Sequence, residues 1–148
     1  MSLNALPEFE PNEKDLLWQY QATIPADVDS ITTIMDQLME LAEETECFVG
    51  KEMQIETALR EALANAIVHG CKNDDRHTVQ LSVACGEDHE IEMVVRGPGS
   101  GFDPNSVPDP TTSQNIYETH GRGLYLINQL MDEVHYERGG TEIHMRKK

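Results

Sequence analysis

The segment at residues 56–70, ETALREALANAIVHG, constrains the fold of this chain more than any other stretch of its sequence. Its apolar residues recur at three- and four-residue intervals, which predicts an amphipathic helix with one stripe: Leu59, Leu63, Ala66 and Ile67. Glu61 and Asn65 lie four residues apart, so both project from one side of that helix. A carboxylate beside a carboxamide is able to hold a hard cation and to take a proton. The alternative is that both side chains simply face solvent, as a Glu and an Asn at this spacing do on most helices.

Patterns elsewhere in the chain predict five strands and three helices. Strand-like segments, rich in branched and aromatic residues or alternating apolar with polar ones, lie at residues 16–24, 77–85, 90–96, 133–138 and 141–146. Helical spacing occurs at residues 28–47 (with Asp27 as the N-cap), 51–70 and from 121 onward. This order predicts a two-layer α/β (α+β) sandwich, with helices on one face of a mixed, mostly antiparallel sheet. Residues 1–14 are predicted to be a flexible arm, and residues 15–148 a single domain.

The charge balance argues against one class of function. The chain carries 27 acidic and 11 basic residues, for a net charge of −16. Nucleic-acid binding requires a positive face that neutralises phosphates, so no direct contact with nucleic acid is predicted. An acidic surface keeps a protein soluble, and it also steers association with basic protein partners.

The absence of targeting signals favours the cytoplasm. No apolar run approaches the roughly 20 residues that span a bilayer, so no membrane attachment is expected. The first 15 residues, MSLNALPEFEPNEKD, have neither the basic nor the apolar region of a signal peptide. Three cysteines, Cys47, Cys71 and Cys85, form an odd number with no zinc spacing, so reduced thiols are expected.

Two glycine clusters are candidates for contacts with a phosphate-bearing ligand. The first comprises Gly97, Gly99 and Gly101, and the second comprises Gly121, Arg122 and Gly123. Glycine lets a backbone approach a ligand closely, and a helix N-terminus offers free N–H groups to phosphate. Arg122 adds a fixed positive charge. The sequence has no GxxxxGK[ST] Walker loop, and GPGSGF lacks the following helix of a dinucleotide fingerprint, so any bound nucleotide would use another fold.

Three sequence boxes in a fixed order resemble a known superfamily. They are ExxxNAxxHG at residues 61–70, GxGF at 99–102 and GRGLYLINQLMDEV at 121–134. Together they resemble the Bergerat-fold (GHKL) ATPases, which include histidine kinases and gyrases, and within them the bacterial anti-sigma-factor serine kinases. The resemblance implies an ATP- and Mg²⁺-dependent serine/threonine protein kinase in bacterial transcription regulation. Such a kinase would bind a sigma factor, phosphorylate an anti-anti-sigma partner and form a homodimer.

The resemblance also implies a role for each matching residue. Glu61 would be the general base that activates a serine hydroxyl, and Asn65 would bind the Mg²⁺ that bridges the ATP phosphates. The segment around Gly99 and Gly101 would border the adenine pocket. The phosphates would meet the start of the third helix, at Gly121, Arg122, Gly123 and Leu124. Residues 104–120 would form a short lid.

One position departs from the family pattern. The second box reads DxGxGF in the family, and its Asp accepts a hydrogen bond from the adenine amino group, whereas the matching residue here is Gly97. Losing that bond costs about 1–3 kcal/mol, or roughly 5- to 150-fold in affinity. The sequence leaves open whether ATP binding is lost or the nucleotide preference is altered. Two alternatives therefore remain: a nucleotide-impaired partner-switching binding module, and the ATPase domain of a two-component histidine kinase.

Overall fold

Five strands and three helices form the main elements of residues 16–70, 77–98 and 119–148, the parts of the chain that this computed structural model describes. The strands are β1 (Leu16–Pro25), β2 (Thr78–Gly86), β3 (Ile91–Arg96), β4 (Glu133–Glu137) and β5 (Glu142–Lys147). The helices are α1 (Val28–Glu43), α2 (Glu52–Asn65) and α3 (Thr119–Leu130). A π-helical turn, Ala66–Gly70, continues α2. The predicted arm at residues 1–14 lies outside the described residues.

The strands pair in the order β1-β2-β3-β5-β4. β4 and β5 form the closing hairpin, and β5 lies beside β3, so the chain crosses from β3 through α3 to the far edge of the sheet before returning. Every pairing among the described strands is antiparallel. The predicted two-layer sandwich with a mostly antiparallel sheet is confirmed.

The three helices cover one face of the sheet and enclose the core with it. Asp27 caps α1, because its carboxylate accepts a hydrogen bond from the Asp29 amide at 3.0 Å. α2 packs between α1 and α3. The core contains fully buried side chains from every layer, among them Met35, Leu38, Ile55, Leu59, Leu63, Ile67, Val79, Leu81, Met93 and Ile127. The apolar stripe that predicted α2 therefore lies in this core, with Ala66 packed at its edge.

None of the helices within the described ranges has the length and hydropathy that crossing a membrane requires.

The other face of the sheet carries a buried carboxylate, Glu142. Its side chain is 3% exposed, and its Oε1 accepts a hydrogen bond from Arg96 Nε at 2.8 Å. Its Oε2 lies 2.6 Å from His144 Nε2. Burial alone raises the pKa of a carboxyl, but the hydrogen bonds from Arg96 and His144 outweigh it and hold the pKa of Glu142 below its usual value. A carboxyl of this kind stabilises the fold above its unfolded pKa, and the contribution disappears as the pH falls through its folded pKa.

We therefore expect Glu142→Gln to lower the free energy of unfolding at pH 7 by about 2–3 kcal/mol, since it leaves Arg96 without its charged partner. The difference from wild type should be smaller at pH 3 than at pH 7, because a fall in pH protonates the carboxyl and removes its contribution. Urea unfolding at both pH values measures it. Glu133→Gln, at an exposed carboxylate, is the control and should change stability by less than about 1 kcal/mol. An equal effect of Glu142→Gln at both pH values would contradict the assignment.

Cys47 and Cys85 form a disulfide that ties the segment between α1 and α2 to β2. Both residues are buried, and their Cα atoms lie 6.3 Å apart, within the usual range for a disulfide. The prediction of reduced thiols was wrong for this pair, because an odd count and an absent zinc spacing do not show which cysteines the fold brings together. Cys71 lies outside the described residues.

Reduction of this disulfide should destabilise protein that has been purified without reductant. The crosslinked cysteines are 38 residues apart in sequence, and opening a loop of that size lowers the free energy of unfolding by about 4 kcal/mol. Urea unfolding with and without dithiothreitol measures the change, and intact mass shows the loss of two hydrogens in the oxidised chain. Cys71→Ser should retain the full difference. Identical unfolding curves in the two conditions would contradict the crosslink.

Candidate functional site

Glu61 and Asn65 occupy the last turns of α2, as predicted. Asn65 is the final residue of the regular helix, and both side chains are half-buried. Within the described part of the chain, the Glu61 carboxylate makes no hydrogen bond or ion pair. Glu56, on the same helix, is bound to Arg60 at 3.1 Å. Glu61 is therefore available to accept a proton from a ligand, whereas Glu56 is already engaged.

The backbone widens immediately after Asn65. Ala66–Gly70 adopt a π-helical turn rather than a further α-helical turn. Such turns are rare and often occur at functional sites, because they displace the residues beside them from regular helical positions. The sequence AIVHG contains no signature that predicted this turn, although Gly70 ends the segment as expected.

Gly97, the first residue of the first glycine cluster, lies directly against this turn. It is buried, and its amide donates a hydrogen bond to the Thr141 carbonyl at 2.8 Å. A Cβ added at Gly97 would lie 3.4 Å from Ala66 Cβ and 3.6 Å from the Ala66 carbonyl oxygen. The end of β3 and the end of α2 therefore meet. Gly97, the residue that replaces the family's Asp, lies against Ala66, which follows Asn65.

The second glycine cluster lies at the start of α3, which packs against α2. Gly121, Arg122, Gly123 and Leu124 fall within its first six residues, where the structure describes the backbone alone. The lid was predicted at residues 104–120. Its last two residues belong to α3, while the rest of it, Gly99 and Gly101 lie outside the described residues. The structure thus places the α2 pair, Gly97 and the start of α3 on adjoining elements.

The donor set at the end of α2 fits a hard cation. A carboxamide oxygen and a carboxylate are oxygen ligands, which Mg²⁺ prefers over nitrogen and sulfur. Asn65 and Glu61 present them one helical turn apart, both half-buried, and Gly97 lies against the next residue, Ala66. The residues present therefore suit a metal bound together with phosphate oxygens.

Comparison with known proteins finds one matching family and several similar proteins. Residues 24–147 match the histidine kinase-like ATPase domain family. The anti-sigma F factor of Geobacillus kaustophilus is 31% identical over 132 residues, covering 86% of this chain and 80% of that protein. The anti-sigma F factors of Bacillus licheniformis and Priestia megaterium are 29% and 28% identical, with the same coverage.

The match extends from the end of β1 to the end of β5 and so includes all three sequence boxes. The fold agrees with it, since helices cover one face of an antiparallel sheet and α2 carries the first box. The resemblance seen in the sequence is thereby confirmed. This chain belongs to the histidine kinase-like ATPase domain family.

Proposed function

We propose that this chain is an anti-sigma-factor-type protein-serine kinase, which uses ATP and Mg²⁺ to phosphorylate an anti-anti-sigma partner. One observation carries the proposal: α2 presents Glu61 one turn before Asn65, and the end of β3 lies against the next residue, Ala66. The names of the similar proteins support the anti-sigma part of the proposal. Phosphoryl transfer depends mainly on positioning and charge neutralisation. The proposed roles of Glu61 and Asn65 would supply both.

Each proposed residue has a distinct task in this reaction. Glu61 accepts the proton of the substrate serine hydroxyl as the serine oxygen bonds to the γ-phosphorus and the bond to the β–γ bridging oxygen breaks. Asn65 would hold a Mg²⁺ ion through its carboxamide oxygen, and that ion would supply charge neutralisation at the phosphate oxygens. The unpaired backbone N–H groups of the first turn of α3, which begins at Thr119 and includes Gly121, would bind phosphate at the positive end of the helix dipole, and Arg122 would add a positive charge.

The proposed partners are a sigma factor and an anti-anti-sigma protein, in the cytoplasm, with a homodimer as the assembled form. The net charge of −16 suits a basic face on one of these partners and opposes contact with nucleic acid. Raising the ionic strength should therefore slow association with the sigma factor. Surface charges are screened over about 10 Å at 0.1 M salt, so this effect has a clear physical source.

The kinase proposal is tested by phosphate transfer to a purified anti-anti-sigma protein from the same genome, in the presence of ATP and Mg²⁺. Wild type should phosphorylate one serine of that partner. Asn65→Ala should lose transfer, since it removes the metal ligand. Gln129→Ala, which changes an exposed amide side chain of α3, should retain it. Equal transfer by Asn65→Ala and wild type would overturn the proposed role of α2.

A second candidate function is a partner-switching binding module with weakened nucleotide binding. Gly97 favours it, because glycine offers no carboxylate to the adenine amino group. In that case the chain binds its sigma factor with the same affinity whether or not ATP is present. Calorimetric ATP binding that Asn65→Ala abolishes would count against this candidate.

A further inference from the structure

The closing hairpin places two histidines and two glutamates on neighbouring rungs of one sheet face. His135 pairs with His144 across the hairpin, and Glu137 pairs with Glu142 on the next rung of the same face. Intervening residues such as Ile143 point into the core, so the four polar side chains face away from the helices. This cluster is therefore on the opposite side of the sheet from α2.

The ligand atoms of three of these residues converge. His135 Nε2 lies 3.1 Å from Glu137 Oε2, and His144 Nε2 lies 4.0 Å from the same oxygen. The two imidazole rings are stacked, with centroids 4.6 Å apart and planes at 11°. One ligand atom from each residue lies within 4.8 Å of the other two. A single point therefore lies within about 2.8 Å of all three, and shifts of under about 1 Å reach the usual Zn–N and Zn–O distances.

We propose that His135, Glu137 and His144 form a binding site for a divalent transition-metal ion of the Zn²⁺ class. Two imidazole nitrogens favour zinc and its neighbours over Mg²⁺ and Ca²⁺, which take oxygen ligands, and a carboxylate completes many zinc sites. A bound ion links β4, an edge strand of the sheet, to β5.

Glu142 supports the site from the adjacent rung. Arg96 donates a hydrogen bond to Glu142 Oε1. Glu142 Oε2 lies 2.6 Å from His144 Nε2 and is therefore close to the proposed metal position. That oxygen is placed to complete a four-coordinate set once a bound ion replaces the proton between it and His144 Nε2. Glu137 and Glu142 lie opposite each other, so their charges repel. Arg96 and Arg138 form ion pairs with Glu142 and not with Glu137 among the described residues. A cation between His135, His144 and Glu137 relieves the remaining repulsion.

The test is calorimetric titration of ZnCl₂ into tag-free, chelator-treated full-length protein. Wild type should bind one Zn²⁺, and a tenfold excess of Mg²⁺ should not displace it. His135→Gln and Glu137→Gln should each weaken Zn²⁺ binding at least about 100-fold. Loss of a residue that only hydrogen-bonds to a metal ligand already lowers metal affinity by about 10- to 100-fold, and loss of a ligand should lower it further. Both side chains are largely exposed, at 61% and 46%, so their replacement spares the core, and circular dichroism checks the fold.

His77→Gln is the matched control, since His77 is an exposed histidine outside the cluster, and it should bind Zn²⁺ like wild type. Co²⁺ supplies an independent readout, because coordination by these side chains gives a visible absorption band that His135→Gln should abolish. The proposal is overturned if wild type shows no stoichiometric Zn²⁺ binding, or if His135→Gln and Glu137→Gln bind as tightly as wild type.

Discussion

Glu61→Gln should lower the rate of phosphoryl transfer to a partner serine by about 10²- to 10⁴-fold while leaving ATP affinity nearly unchanged. The amide has the shape of the carboxylate but does not take the hydroxyl proton. Glu61 is half-buried and makes no ion pair within the described residues, so its replacement removes a proton acceptor rather than a structural contact. Single-turnover transfer from labelled ATP, with ATP affinity measured in parallel, separates the two effects.

Glu56→Gln is the matched control on the same helix. Glu56 is bound to Arg60 on a partly exposed surface, and surface pairs of this type contribute under about 1 kcal/mol. Its transfer rate should match that of wild type. If Glu61→Gln and Glu56→Gln transfer phosphate equally well, Glu61 is not the base, and a different residue must accept the proton.

Gly97→Asp should raise the affinity for ATP by roughly 5- to 150-fold over wild type, because it restores a hydrogen bond to the adenine amino group. The site accepts the change: an added Cβ makes an ordinary contact with Ala66, 3.4 Å from its Cβ. The gain should be specific for adenine, since inosine triphosphate lacks the amino group. Competition between the two nucleotides measures it.

Gly97→Ala distinguishes the effect of the carboxylate on ATP affinity from the effect of the added Cβ. It introduces the same contact with Ala66 without an acceptor, so its ATP affinity should remain near that of wild type. An equal gain for Gly97→Ala and Gly97→Asp would show that rigidity at this position, rather than adenine recognition, limits binding.

Helix capping and the spacing of apolar residues made much of the fold predictable. Asp27 precedes a run of helical spacing, and the structure shows its carboxylate bonded to the Asp29 amide at the start of α1. Leu59 and Leu63 recur on one side of α2, and both are fully buried. Glu61 and Asn65 were placed together for the same reason, because four-residue spacing on a helix sets their relation without any tertiary information.

Features that depend on distant pairing were not predictable from the sequence. The disulfide of Cys47 with Cys85 requires the end of β2 to meet the segment after α1. The alignment of His135 with His144 depends on the register of the closing hairpin, which the turn Arg138–Gly140 determines. Arg138 has a φ of 56° and Gly140 a φ of 94°, and the letters RGG mark a turn without specifying this geometry. The π-helical turn after Asn65 was not predicted either, because AIVHG has ordinary helical spacing.

The most direct test of the proposed site is calorimetric titration of ATP, with and without Mg²⁺, into wild type, Asn65→Ala and Gly97→Asp. We expect Mg²⁺-dependent binding that is tightest for Gly97→Asp, weaker for wild type and absent for Asn65→Ala. Failure of Gly97→Asp to bind ATP, or binding that neither Mg²⁺ nor Asn65→Ala affects, would contradict a nucleotide site at the junction of α2 and β3.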